Sequence, residues 1–260
     1  MAIPRILILH ATGSNRDHDA AAACEQAGGA PEIVHVNALI AGERKLGDFQ
    51  MLLLPGGFSF GDDLGAGKLC AVMLRHRLGD ALDAFVAAAK PVLGICNGFQ
   101  TLVKAGLLPG DVEAGSKPAA TLTRNERAQF ECRWVHLQPN PASPCVFTKG
   151  LEEPIFCPVA HGEGQFVARD PAALEAIEER QGVALRYVDA GGARAGYPYN
   201  PNGSVNNIAG LTNPAGNVLG LMPHPENHIR PEQHPEFHRG IVGRSGLALF
   251  RNGIRHAGQV

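Results

Sequence analysis

The sequence predicts an α/β fold built on a doubly wound, mostly parallel sheet. Short apolar runs at residues 5–9, 51–54 and 92–95 are typical of strands that are covered on both faces. Segments with helical character alternate with these runs. The alternation favours a flavodoxin-like arrangement with right-handed crossovers.

The first half of the chain supplies the parallel strands and their helices. Glycine pairs and prolines stop several of these elements, as Gly28-Gly29 and Pro55-Gly56-Gly57 do, because they cannot continue a helix or a central strand. Asp17 or Asp19 could cap the first helix. The predicted elements, in order, are a strand at 5–9, a helix at 20–27, a strand at 33–36, a polar connection between Leu39 and Leu46, a strand at 51–54, an alanine-rich helix at 80–90, a strand at 92–95 and a helix from residue 101.

The second half of the chain has a different pattern of apolar and polar residues. Residues 119–167 alternate in the manner of strands, and we expect antiparallel hairpins attached to the parallel sheet. Further on we expect a helix at 171–181, strands at 183–188, 204–212 and 218–222, and a final amphipathic helix that contains Leu247 and Phe250. We expect one domain over residues 1–260, with a C-terminal extension from about residue 227.

Composition excludes several classes of function. The 260 residues carry a formal charge of −2 and no basic run, which argues against nucleic-acid binding. No apolar run approaches the roughly 18 residues of a membrane span, and the start of the chain is not typical of a signal peptide. The six cysteines form no C-x-x-C pair, which argues against disulfides or zinc. We therefore expect a cytoplasmic protein.

Cys96 is the candidate nucleophile. It ends a short apolar run and is followed by small and polar residues and then by a helix, as in a strand-to-helix elbow. Gly94 and Gly98 provide the small neighbours that such an elbow needs. The helix N-terminus favours a thiolate and can also bind an oxyanion. The alternative is that Cys96 is an unreactive cysteine buried in the core.

A second motif could supply the base. His224 lies between two prolines, and Glu226 follows it by two residues. Nucleophilic acyl transfer requires a cysteine, a histidine and an acid that orients the histidine. Cys96, His224 and Glu226 are therefore the candidate catalytic residues.

These motifs resemble the class I, or triad, glutamine amidotransferases. The segments that carry the resemblance are 94–100 and 223–226. Segments 54–62, 124–135, 161–164 and 200–204 are similar more narrowly to the glutaminase subunits of phosphoribosylformylglycinamidine synthases. The likeness runs from about residue 5 to residue 227.

The resemblance implies roles for further residues. The backbone N–H groups of Gly57 and Asn97 would hold the oxyanion, and Gln100, Asn125 and Phe130 would bind glutamine. Asn125 and Phe130 could instead be a turn residue and a core residue. The family usually has serine where this chain has Arg127, which leaves the contacts to the glutamine α-amino and carboxylate groups open.

The resemblance also implies a reaction and partners. Glutamine would be hydrolysed through a Cys96 thioester, and the ammonia would pass to a separate synthetase subunit that makes formylglycinamidine ribonucleotide in purine biosynthesis. A small bridging subunit would join the two. This chain would bind no cofactor and no metal, whereas the synthetase subunit would use ATP and Mg²⁺. Consistent with this, Gly61–Lys68 lacks the pattern of a phosphate loop.

Several alternatives remain open at this stage. The triad alone does not identify the acceptor, so an amidotransferase of another pathway is possible. A flavodoxin-like protein with a cysteine elbow could instead be a redox sensor. The histidine-rich stretch that contains His228, His234 and His238 could bind a metal or could be a proline-stiffened surface loop. The motif at 161–164 could be a plain polar turn or could contribute to the site.

Overall fold

The structure is a computed structural model, and it describes residues 2–110 and 117–260. Within these residues the chain forms eleven strands and six α-helices. The strands are β1 (Arg5–His10), β2 (Ala30–His35), β3 (Met51–Leu54), β4 (Val92–Ile95), β5 (Ala120–Arg124), β6 (Glu131–Pro139), β7 (Ile155–His161), β8 (Glu163–Ala168), β9 (Val183–Val188), β10 (Ile208–Thr212) and β11 (Val218–Leu221). The helices are α1 (Asp17–Gln26), α2 (Val36–Ile40), α3 (Lys68–Ala87), α4 (Asn97–Lys104), α5 (Pro171–Glu179) and α6 (Leu247–Ala257).

Nine strands form one sheet in the order β2-β1-β3-β4-β11-β10-β9-β6-β7. Neighbours from β2 to β11 run parallel, and neighbours from β11 to β7 run antiparallel. Every residue of β3, β4 and β11 is buried, which explains their uninterrupted apolar sequences. The predicted α/β fold, with a parallel sheet and an attached antiparallel region, is confirmed.

The antiparallel region contains a second, smaller sheet. Strands β5 and β8 pair with each other as a two-stranded ribbon. Strand β7 ends at His161 and β8 begins at Glu163, so a single residue, Gly162, joins the main sheet to the ribbon. This junction places the predicted 161–164 motif where the two sheets meet.

Two helices begin earlier than predicted, and one helix was missed. Helix α3 begins at Lys68 and not at residue 80; the prediction missed its start because the helix is only weakly amphipathic and the interior Gly79 lowers the helical signal. Helix α4 begins at Asn97 and not at residue 101. The short helix α2 was not predicted; it starts at the last residue of the strand predicted at 33–36, and its Val36 and Leu39 are buried.

The predicted cap of α1 was also wrong. The cap position is Arg16, whose side chain makes no capping hydrogen bond. Asp17 is the first helical residue, and its carboxylate lies 2.7 Å from Nδ1 of His10. Asp19 pairs instead with Arg16 at 3.0 Å.

The C-terminal segment packs back onto the domain. Helix α6 contacts α1 and β3, and Phe250 is fully buried. His228 and His234 are buried against Trp134 and Phe156, with ring centroids 5.0–6.5 Å apart. These two side chains are therefore buried, although most residues of the surrounding segment 230–245 are exposed. The described ranges contain no cluster of histidine, cysteine or carboxylate side chains that could hold a metal ion, and no helix within them is long and apolar enough to cross a membrane.

Candidate active site

Cys96 stands at the junction between β4 and α4. Its backbone has φ +50° and ψ −105°, a conformation that non-glycine residues rarely adopt and that commonly marks functional sites. The turn is tight, since a Cβ at Gly98 would lie 2.0 Å from the Leu54 carbonyl oxygen and one at Gly94 would lie 2.8 Å from Gly98. The sequence pattern of a nucleophile elbow thus corresponds to a real one.

The N-terminus of α4 adjoins the thiol. The first intrahelical bond is donated by the Gln100 N–H to the Cys96 carbonyl, so the N–H groups of the preceding residues, Asn97 among them, have no partner in the helix. Partial positive charge accumulates at this end of a helix. The elbow can therefore hold a negatively charged oxygen beside Cys96.

His224 and Glu226 form a buried ion pair. Nδ1 of His224 lies 2.7 Å from Oε1 of Glu226, and the two residues are 3 % and 1 % exposed. Strand β11 delivers them, and the His224 N–H donates to the Pro158 carbonyl of β7 at 2.8 Å. Because Nδ1 is held by the carboxylate, Nε2 is the nitrogen that remains for proton transfer.

The charge of this pair sets the protonation of His224. Burial on its own would lower the pKa of His224, but the negative charge of Glu226 and the interaction with Cys96 outweigh burial and raise the pKa to about 10. His224 is therefore an imidazolium at neutral pH. A protonated His224 can give its Nε2 proton to a leaving group.

Cys96 and His224 share one cavity of about 380 Å³. It lies at the carboxyl ends of β1, β3, β4 and β11, where open α/β sheets bind ligands. Its wall is formed by Asn15, Arg16, Gly57, Phe58, Asp62, Ala66, Cys96, Gln100, Phe130, Ala160, His161, Gly162, Glu163 and His224. The Ala160 carbonyl lies 3.9 Å from the Cys96 sulfur.

Three of the five predicted oxyanion and substrate residues lie on this wall, namely Gly57, Gln100 and Phe130. Phe130 is 57 % exposed, so it is not a core residue. Gln100 is buried, and both ends of its carboxamide are already bonded, to the Glu163 carbonyl and to Asn97. Gln100 therefore shapes the wall, and each end of its carboxamide has one protein partner.

The other two predicted residues, Asn97 and Asn125, are buried and do not line the cavity; their side chains lie behind its wall. The carboxamide of Asn97 accepts from Ser59 at 2.6 Å and donates to Asp62 at 2.8 Å, so only its backbone N–H remains for an oxyanion. Asn125 is 2 % exposed and bonds to Gln129 and His161. A direct contact between Asn125 and glutamine, expected from the resemblance, is not what the geometry shows.

Arg127 does not reshape the cavity. Its guanidinium stacks on Tyr197 at 4.3 Å from the ring centroid, and Arg133 occupies the same ring at 4.7 Å. Arg127 is exposed and is absent from the cavity wall. The departure from the family at this position therefore concerns the surface.

Sequence reasoning missed two charged residues of the wall. Arg16 lies in the loop after β1, and Asp62 lies in the loop after β3. Glu163, which starts β8, belongs to the 161–164 motif for which a contribution to the site was one of the two interpretations. Burial raises the pKa of the Asp62 carboxyl, although hydrogen bonds from Asn97 and the Gly67 N–H oppose the rise. The rule that sites form at the carboxyl ends of parallel strands could have indicated Arg16 and Asp62.

The motif at 200–204 holds strand β8 in place and does not itself line the cavity. Asn202 donates to the Gly164 carbonyl at 2.8 Å, and Ser204 accepts from the Phe166 N–H at 2.9 Å. Asn202 also donates to the Tyr187 hydroxyl of β9 at 3.2 Å, so these bonds connect β8, which begins at Glu163, to the main sheet.

The other buried thiols differ from Cys96 in their surroundings. Burial raises the pKa of Cys24, Cys70, Cys145 and Cys157, so these thiols stay protonated at neutral pH. Cys132 is exposed.

The fold and this site define an amidotransferase-like protein, and comparison with known proteins agrees. Residues 3–257 match the family described as the CobB/CobQ-like glutamine amidotransferase domain. The chain therefore belongs to this family of glutamine amidotransferases.

Individual relatives indicate which type of glutamine amidotransferase this chain is similar to. A protein of Treponema denticola named phosphoribosylformylglycinamidine synthase subunit PurQ is 49 % identical, over 87 % of this chain and 88 % of the relative. A protein of the same name from Dehalococcoides mccartyi is 42 % identical over the full length of both. The structure of PurLQS from Thermotoga maritima matches with a TM-score of 0.73 and 32 % identity, covering 98 % of this chain and 99 % of that one. These similarities are those of a PurQ-type glutamine amidotransferase.

Proposed function

We propose that this chain is the glutamine-hydrolysing subunit of a phosphoribosylformylglycinamidine synthase. The observation that carries the proposal is a cysteine at a strained elbow that shares a cavity with a buried His–Glu pair. The similarity to PurQ proteins over 87–100 % of the chain supports the acceptor pathway.

In the proposed reaction the Cys96 thiolate attacks the carboxamide carbon of glutamine. A carbon–sulfur bond forms, and the carbonyl oxygen takes the electron pair. The imidazolium of His224 then gives its Nε2 proton to the nitrogen, the carbon–nitrogen bond breaks, and ammonia leaves a Cys96 thioester. Water, deprotonated by the neutral His224, hydrolyses the thioester to glutamate.

The tetrahedral oxygen would be held by backbone N–H groups. Asn97 at the start of α4 and Gly57 in the turn after β3 are the proposed donors. Each such donor typically contributes about 10²- to 10³-fold in rate. Glu226 would orient His224 and stabilise its positive charge throughout.

The charges of the cavity suit the other end of free glutamine. Arg16 offers a cation for the α-carboxylate, and Asp62 and Glu163 offer anions for the α-ammonium group. Phe130 would cover the aliphatic part of the substrate at the mouth.

The ammonia would pass to a synthetase subunit that uses ATP and Mg²⁺, and a small bridging subunit would join the two. No cofactor would be bound by this chain. A cytoplasmic location belongs to the same proposal and rests on the sequence alone.

The redox-sensor alternative fits the structure less well. A redox sensor does not need a buried His–acid pair in the same cavity as its cysteine, and such a pair is present here. An amidotransferase of another pathway would keep the triad, and only the acceptor would differ.

Glutamine hydrolysis by the purified chain tests the proposal. It would be measured alone and with a synthetase subunit, ATP and formylglycinamide ribonucleotide, with Cys96→Ala as the control. A sharp rise in the full mixture that Cys96→Ala abolishes supports the proposal. Hydrolysis indifferent to the partner would refute the purine assignment, and no hydrolysis in any mixture would refute the amidotransferase.

A further inference from the structure

His161 is a buried residue that takes no part in the reaction proposed above. It is the last residue of β7 and is 4 % exposed. It lies on the wall of the cavity that contains Cys96 and His224. The preceding residue, Ala160, supplies the carbonyl that lies 3.9 Å from the Cys96 sulfur.

Asn125 fixes the tautomer of this ring. The Asn125 amide nitrogen donates to two carbonyls, those of Gln129 at 2.9 Å and His161 at 2.8 Å. Its oxygen must therefore be the atom that faces Nδ1 of His161, at 3.1 Å. An amide oxygen can only accept, so Nδ1 carries the hydrogen and Nε2 carries a lone pair.

The lone pair on Nε2 is not used by any residue that the structure describes. Nε2 is buried, and among the residues that the structure describes it has no hydrogen-bond partner. Nδ1 is turned to Asn125, which is absent from the wall, whereas His161 itself lines the cavity. Nε2 is therefore the ring nitrogen left for a ligand there. Buried polar atoms are almost always paired, so an unpaired one calls for a partner such as a ligand or a water molecule.

The ring is held neutral and in place. Burial, together with the positive charge of nearby His224, lowers the pKa of His161 to about 3. Gly164 gives the ring its space, because a Cβ there would lie 2.5 Å from the ring Cε1 atom. His161 is thus a fixed acceptor that does not take up a proton at neutral pH.

We propose that Nε2 of His161 accepts a hydrogen bond from the carboxamide NH₂ of glutamine, and that this bond makes the site select an amide. The inference rests on the proposed function. Glutamate presents carboxylate oxygens without hydrogens at the same position, so the lone pair would repel it. The released ammonia also has N–H groups, and it can keep the same bond without losing a proton to the ring.

A pair of substrates separates this role from a structural one. Glutamine and the γ-methyl ester of glutamate give the same Cys96 thioester, but the ester has no N–H at its leaving group. Both would be assayed on the full chain with the synthetase subunit, ATP and formylglycinamide ribonucleotide present. The quantity compared is kcat/KM for each substrate.

The test variant is His161→Leu, which keeps the bulk and removes the acceptor. We expect kcat/KM for glutamine to fall about 10- to 100-fold, as for a lost buried hydrogen bond, and the value for the ester to stay within about 3-fold. His161→Gln retains an acceptor oxygen and should recover much of the glutamine activity. If His161→Leu does not fold, His161→Ala serves for the same comparison.

Other outcomes would overturn the inference. An equal fall for both substrates would mean that His161 acts only in packing, and no fall for either would mean that Nε2 makes no contact with the leaving group. A wild-type chain that hydrolyses neither substrate would refute the proposed function itself, whatever the variants do.

Discussion

Nδ1 of His224 lies 2.7 Å from Oε1 of Glu226, with both side chains almost completely removed from solvent. A buried carboxylate so close to an imidazole stabilises the protonated ring, and this explains the raised pKa of His224. The pair therefore links the geometry of the site to its dependence on pH.

Replacing Glu226 by Gln should lower kcat on the order of 10²- to 10⁴-fold, because the amide keeps the shape but loses the charge that stabilises the imidazolium. In the wild type, activity should be lost as pH rises through about 10, the pKa of His224. In Glu226→Gln this basic limb should move to lower pH, since the pKa falls. The measurement is kcat/KM for glutamine against pH. A basic limb that does not move would show that Glu226 does not set the charge of His224.

His161 should make the fold sensitive to acid. Its pKa is about 3 in the folded chain and about 6.5 in an unfolded one, so the stability it contributes is present above pH 6.5 and is lost as pH falls towards 3. His161→Gln removes this titration. The free energy of unfolding should therefore drop less between pH 7 and pH 4.5 in the variant than in the wild type. Equal drops in denaturant titrations would contradict the buried neutral state.

The turn at Gly57 should not tolerate a side chain. Gly57 has φ +135°, and a Cβ there would lie 2.8 Å from the Asn15 nitrogen. Gly57→Ala should displace the proposed oxyanion donor and lower kcat about 10²- to 10³-fold. Gly42→Ala is the matched control, since Gly42 has φ +76° but open space around it. Similar activity losses in the two variants would assign the effect to backbone strain alone.

Leu64 should contribute to docking of the synthetase subunit. It is 84 % exposed, and it lies between Asp62 and Ala66, two residues of the cavity wall. Leu64→Ser should leave basal glutamine hydrolysis unchanged and weaken partner-dependent stimulation about 10-fold, the value of one buried leucine. Ile3→Ser is the control, because Ile3 is 66 % exposed but precedes β1. It therefore lies at the amino ends of the parallel strands, opposite the cavity. Half-maximal partner concentration is the readout, and an equal shift in both variants would remove Leu64 from the interface.

The parallel strands could be predicted because strands buried on both faces consist almost entirely of apolar residues. Val92–Ile95 and Val218–Leu221 are uninterrupted apolar runs, and a strand buried on both faces needs such a run. Helix α3 was only half predicted, since its weak amphipathic pattern does not reveal where it begins.

The sequence by itself determined the fold class, the elbow at Cys96 and the motif that contains His224 and Glu226, because each depends on residues that lie close together along the chain. The tertiary structure was needed to bring Cys96 and His224 to the same cavity. Only the tertiary structure decided which charges face the cavity, that Asn125 lies behind His161, and that Arg127 stacks on Tyr197. These relationships join segments 36 to 70 residues apart. Loop side chains at such separations meet through packing, and packing leaves no periodic pattern in the sequence.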